Sequence, residues 1–135
     1  MLLPSEGGYS SKNKAGWNGA QNSHVTEVDL VGHAWFMRKR YVHYMWVEEP
    51  TYWDNGEDIH LSYMALKHAG VKTLVPPHPA NDQSLWCCRP DFGKAVGRLK
   101  VATYQTQDHR STRSAIVDQY RAEGWQIVAM RENKA

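Results

Sequence analysis

Apolar and polar positions alternate along the chain in blocks that predict a mixture of strands and helices. Residues 28–37, Val-Asp-Leu-Val-Gly-His-Ala-Trp-Phe-Met, form an apolar run with one glycine, ended by Arg38-Lys39-Arg40. Such a run predicts a mostly buried strand. From Lys39 to Val47, Val42, Met45 and Trp46 fall at i, i+3 and i+4, which predicts a short helix that Pro50 stops.

The clearest signal is a helix over 56–69. Asn55 or Asp54 can cap it, and Glu57 and Asp58 put carboxylates in its first turn. Gly70 follows where a helix commonly ends on a glycine. At about 100° per residue, Ile59, Tyr63, Leu66 and Ala69 share one face. Leu61, Met64 and Ala65 lie roughly opposite, with His60 and Lys67 as a narrow polar stripe between. A helix apolar on two sides belongs between layers.

Val71–Val75 is a predicted strand, ended by Pro76-Pro77-His78-Pro79. Leu99–Thr106 is a further candidate strand. A last helix begins at a cap on Ser111 or Thr112 and runs through Glu123, with Ile116, Val117 and Tyr120 inward. Gly124 ends it, and Trp125–Met130 is a predicted final strand. Residues 1–27 are rich in Gly, Ser and Asn and read as an irregular segment ahead of one α/β domain over 28–135. The expected fold class is therefore α/β, a mixed sheet with a buried central helix.

Composition narrows the functions. The chain has 135 residues, of which 41% are apolar and 22% charged, close to the globular norm. Sixteen Lys and Arg against fourteen Asp and Glu leave a net charge of +2, too balanced for an overall nucleic-acid or membrane-surface footprint. No apolar run approaches the roughly 18 residues of a membrane span. Met1 to Pro4 is too short for a signal peptide, and the two cysteines are the adjacent Cys87 and Cys88. A reducing, cytoplasmic setting is the natural expectation. Six Trp and seven Tyr against two Phe suit either a Trp-rich core or a pocket stacked on a sugar or base.

Candidate chemistry concentrates at Trp53-Asp54-Asn55-Gly56-Glu57-Asp58, three carboxylates within five positions beside an indole. Asp58 near a desolvating aromatic can serve as a general base. The same residues also have a purely structural use, because a helix dipole favours acids in its first turn. His78, held between prolines, is the best single histidine candidate. No His-x-x-x-His or Cys-x-x-Cys occurs, so spacing defines no metal cage. Phosphate-loop, dinucleotide-fingerprint and serine-hydrolase motifs are absent as well. Arg38-Lys39-Arg40, Arg98 with Lys100, and Arg110 with Arg113 can meet phosphates or simply solvate the surface.

Three ordered blocks carry a resemblance. They are Val28 to Arg38, Trp53-Asp54-Asn55-Gly56-Glu57-Asp58-Ile59-His60-Leu61-Ser62-Tyr63, and Gly70-Val71-Lys72-Thr73-Leu74-Val75-Pro76-Pro77-His78-Pro79. Together they resemble the C-terminal, acceptor-side half of family 2-like glycosyltransferases of the GT-A fold. The likeness spans residues 28–79.

The resemblance implies transfer of a sugar from a nucleotide-sugar donor to a hydroxyl acceptor. It implies Asp58 as catalytic base with Glu57 beside it, and substrate contacts from Trp53, Asp54, Trp35 and Arg38. His78 would stand where some such enzymes place a ligand to a divalent ion, Mn or Mg. The Asp-x-Asp motif of the nucleotide-binding half is absent from the sequence. The chain is therefore expected to be a partial GT-A domain, inactive alone. Either a homo-oligomer forms or a second chain supplies the missing half, with no nucleic-acid partner. The alternative is a non-catalytic carbohydrate- or nucleotide-binding module, or an oligomeric interaction domain.

Overall fold

The structure, a computed structural model, describes residues 3–5, 8–10, 22–32, 35–79, 81–82, 84 and 108–132. The elements are β1 (Leu3–Ser5), β2 (Gly8–Ser10), β3 (Thr26–Val28), a 3₁₀ helix (Lys39–Trp46), α1 (Glu57–Ala69), β4 (Thr73–Val75), α2 (His109–Ala122) and α3 (Val128–Glu132). The class is mixed α/β. Two short antiparallel ladders are present, β1 with β2 and β3 with β4, the latter in the register Thr26↔Val75, Glu27↔Leu74, Val28↔Thr73.

Helix α1 begins after Gly56 and ends at Gly70, as its sequence signals imply. The N-terminal cap differs from expectation. Neither Asn55 nor Asp54 caps it; Gly56 occupies that position with φ +88° and no side-chain cap bond. At the other end Gly70, with φ +62°, turns the chain back. Its own N–H and that of Val71 then meet the carbonyls of Leu66 and Ala65, which would otherwise be orphaned.

Helix α2 lies beside α1 and runs in the same direction. Partners ascend together along both helices: Asn55 with His109, Asp58 with Arg113, Tyr63 with Tyr120, and Lys67 with Glu123. The core is the seam between them, with Leu30, Ile59, Tyr63, Met64, Ile116, Val117, Tyr120, Trp125 and Ile127 buried together. The inward trio expected of α2 is thus in place. Gly56 is required at this seam twice over. Its φ lies in the left-handed region, and a Cβ there would overlap Ile116 Cδ1.

Two further sequence expectations are corrected. The apolar run 28–37 is not one buried strand. Pairing stops at Val28, and Trp35, Phe36 and Met37 are exposed. Hydrophobicity without a clear period marks neither burial nor pairing. The short helix expected from Lys39 to Val47 is present as a 3₁₀ helix, Lys39–Trp46. Finally, Trp125–Met130 does not form a strand. Trp125 and Ile127 are buried in the link between α2 and α3, and α3 starts at Val128, whose N–H donates to Asp29 Oδ1 at 2.9 Å. The candidate strand Leu99–Thr106 lies outside the described residues.

Ionic contacts fasten these pieces together. Glu27 on β3 takes Lys72 at 2.8 Å and Arg131 at 2.5 Å. Burial pushes the Glu27 carboxyl up, but hydrogen bonds from Lys72 and Arg131 more than reverse this, so the net shift is downward. Glu48 is held by Lys67 at 2.7 Å and His68 at 2.5 Å, which ties the end of the 3₁₀ helix to the last turn of α1.

Candidate functional site

Because α1 and α2 run side by side in one direction, their N-terminal ends share a corner. Both positive dipole ends meet there. Glu57 and Asp58 occupy the first turn of α1, and Asp108 stands at the start of α2.

Asp58 is 3% exposed and is the centre of this corner. Arg113 donates to it with both arms of its guanidinium, Nη1 to Oδ1 at 2.8 Å and Nη2 to Oδ2 at 2.7 Å. The Ile59 N–H also donates to Oδ1, at 2.9 Å. A buried carboxylate needs this degree of pairing, since an isolated buried charge is costly. Above it lies the chain at Gly32, where a Cβ would stand 3.3 Å from Asp58 Oδ2. A glycine there leaves the carboxylate uncrowded from that side.

The other residues of the corner are Asn55 and His109. Asn55 Nδ2 donates to His109 Nδ1 at 3.2 Å, so that ring nitrogen is an acceptor. Burial, helped by the Arg113 charge, holds the His109 imidazolium below its ordinary pKa. Asp58 and Glu57 pull the other way with less effect. The result is a neutral imidazole beside a compensated carboxylate.

The sequence-derived residues divide by location. Glu57 is exposed on the same turn as Asp58, and Asp54 and Trp53 are exposed just ahead of it, Trp53 to 72%. These four belong to one end of α1. Trp35 and Arg38 lie on the exposed segment after β3; the Trp35 indole N–H donates to the Val31 carbonyl. Among the described residues no hydrogen bond or ion pair joins either of them to Asp58.

His78 is 1% exposed and sits elsewhere, bridged through its backbone to Asn22 and bonded through Nδ1 to the Pro76 carbonyl at 2.7 Å. Among the described residues no group of three or more His, Cys, Asp or Glu could hold a metal ion. The donor set that a divalent ion would need around His78 is therefore not assembled among them, and no chemical step is drawn through one.

Sequence reasoning named Arg113 only as a cation for phosphates, and named Asn55 only as a cap. Nothing in sequence joins Asp58 to a partner 55 positions away; a buried acid at a helix start is the one signal that asks for such a cation.

A second polar pair lies deeper in the seam. His60 donates from Nε2 to the Met45 carbonyl at 3.2 Å, which leaves Nδ1 to accept from the Tyr120 hydroxyl at 2.5 Å. Burial lowers the His60 pKa, consistent with that neutral tautomer. The cavity next to β3, lined by Glu27, Asp29, Ser62, Lys72, Trp125 and Arg131 among others, has about 10 Å³, room for one water.

Compared with protein families, curated proteins and solved structures, the chain finds no match. No helix among the described residues is long and apolar enough to cross a membrane.

Proposed function

We propose that the chain is the acceptor-side portion of a glycosyltransferase, moving a sugar from a nucleotide-sugar donor to a hydroxyl acceptor in the cytoplasm. The observation that carries this reading is the placement of Asp58, in the first turn of α1, fixed by two Arg113 contacts and with Gly32, which has no side chain, alongside Oδ2. A base must be held in one orientation before its substrate arrives, and a bidentate guanidinium does that. An acceptor hydroxyl entering over Gly32 would bring its proton to Oδ2. The acceptor oxygen then forms the new bond to the anomeric carbon as the bond to the nucleoside diphosphate breaks, and Asp58 takes the proton. Glu57 and Asp54 would bind acceptor hydroxyls, and the exposed Trp53 indole would stack on a sugar face. The donor-binding half is not among the described elements and would come from a second polypeptide or from further sequence.

A second reading, a non-catalytic carbohydrate-binding module, is favoured by one feature. Both Asp58 oxygens already accept from the Arg113 guanidinium, so the carboxylate is committed to an ion pair inside the fold.

The test is thermal shift against acceptor saccharides and nucleotide sugars, with and without Mn, followed by turnover assays on any ligand that stabilises. Stabilisation together with turnover that a folded Asp58→Asn variant loses supports the transferase. Saccharide binding that this variant retains, with no turnover in either protein, supports the binding module. A flat response to every saccharide and nucleotide sugar overturns both.

A further inference from the structure

The segment from Trp35 to Trp46 has no role in the corner described above, yet it gathers several exposed apolar side chains in one stretch of chain, among them Phe36, the most exposed large apolar residue among the described ones. Phe36 is 95% exposed and Trp46 is 68% exposed, with Met37 and Val42 also open to solvent. Interleaved with them is Arg38-Lys39-Arg40, all exposed. Among the described residues none of these three cations makes an ion pair. Arg40 rests over the Tyr41 ring, 4.8 Å from its centroid.

The 3₁₀ geometry explains the pattern. Side chains three apart eclipse one another. One row is Arg40, His43 and Trp46, exposed throughout; Lys39 and Val42 start a second exposed row; Tyr41 and Tyr44 are half-buried. The helix therefore turns its two tyrosines inward and shows solvent a face of cations, a valine and an indole. Phe36 and Met37 are exposed immediately ahead of the basic run.

We propose that this face docks on the surface of an anionic lipid bilayer, with Phe36 and Trp46 entering the headgroup boundary and Lys39 and Arg40 meeting lipid phosphates. A cationic segment flanked by exposed Trp, Phe and aliphatic side chains matches an interface that is negative outside and apolar beneath. Charge complementarity selects the bilayer over a second copy of the chain. A two-fold contact through this face would bring two unpaired Arg-Lys-Arg runs together. Met37 and Val42 select it over a single-stranded nucleic acid, since they offer no ring for a base to stack on. The near-zero net charge of the whole chain conceals this local cluster.

The full chain is mixed with phosphatidylcholine vesicles, with or without phosphatidylglycerol, and followed by co-sedimentation and tryptophan emission. Binding is expected on the anionic vesicles, with a blue shift, and at least about tenfold weaker on neutral ones. Phe36→Ser and the double change Lys39→Glu, Arg40→Glu are each expected to weaken it about tenfold or more. Phe36→Ser changes a fully exposed side chain, so its urea midpoint serves as the control that the fold is intact. Three results overturn the proposal: no binding to anionic vesicles, binding indifferent to both variants, or a lipid-free dimer that Phe36→Ser dissociates. Single-stranded oligonucleotide binding that vesicles fail to displace also overturns it.

Discussion

Replacing Gly56 by alanine tests the helix seam and the start of the candidate site together. Two costs follow from the structure. At φ +88° an alanine pays for a left-handed backbone, about 1–2 kcal/mol. Its Cβ would also overlap Ile116 Cδ1, and overpacking of this kind costs roughly 1–3 kcal/mol. The sum is about 2–5 kcal/mol, a large share of a small domain's stability. The two parts can be separated. Ile116→Val deletes Cδ1 and leaves the next nearest atoms, Cγ1 at 3.6 Å and Cγ2 at 3.9 Å, at ordinary contact. On its own it should cost about 0.5–1.5 kcal/mol. In that background Gly56→Ala should lose the overlap and keep only the backbone cost. Urea unfolding of the four proteins of the cycle, read from the midpoints at common slope, should give a coupling of about 1–3 kcal/mol. A coupling within about 0.5 kcal/mol of zero would refute the close approach of α2 to the start of α1.

Two further outcomes concern charge. Arg113→Met leaves Asp58 buried without its partner and should cost about 3–5 kcal/mol in urea unfolding, whereas adding Asp58→Leu to it should recover much of that loss; single and double variants equally destabilised would mean the pair is not buried as described. The pH dependence follows from His60 and His109, whose folded pKa values are lowered by burial from 6.5. Below that value the unfolded chain binds protons that the folded chain refuses, so stability is full above pH 6.5 and falls as pH drops through the folded values. Thermal midpoints should decline over that window, less steeply in His60→Gln, and Glu27, lowered from 4.5, should add a second decline at more acid pH; a midpoint flat across both windows would refute the assignment.

How much of this was legible from residues depends on the range of the cause. Helix α1 is written locally: acids in its first turn, apolar spacing, and Gly70 to close it. The inward face of α2 is equally local, through Ile116, Val117 and Tyr120. The pairing of the helices is not, because the contacts that decide it join Asp58 to Arg113 and His60 to Tyr120, 55 and 60 positions apart. Periodicity alone made His60 a polar stripe, whereas tertiary partners for both ring nitrogens let it be buried. The run 28–37 misleads for a different reason. Leu30 still belongs to the core, but Trp35, Phe36 and Met37 are surface, and composition does not distinguish a surface from a core.

The bond from the Val128 amide to Asp29 spans 99 positions, and Trp125 and Ile127 sit in the same core as Leu30. During synthesis the early part of this core therefore waits, uncovered, until Trp125 and Ile127 have left the ribosome. Closing such distant segments is slow compared with forming either helix. A nascent chain stalled before residue 125 would present Leu30, Met64 and Tyr63 to the solvent, and would be a client for holdase chaperones.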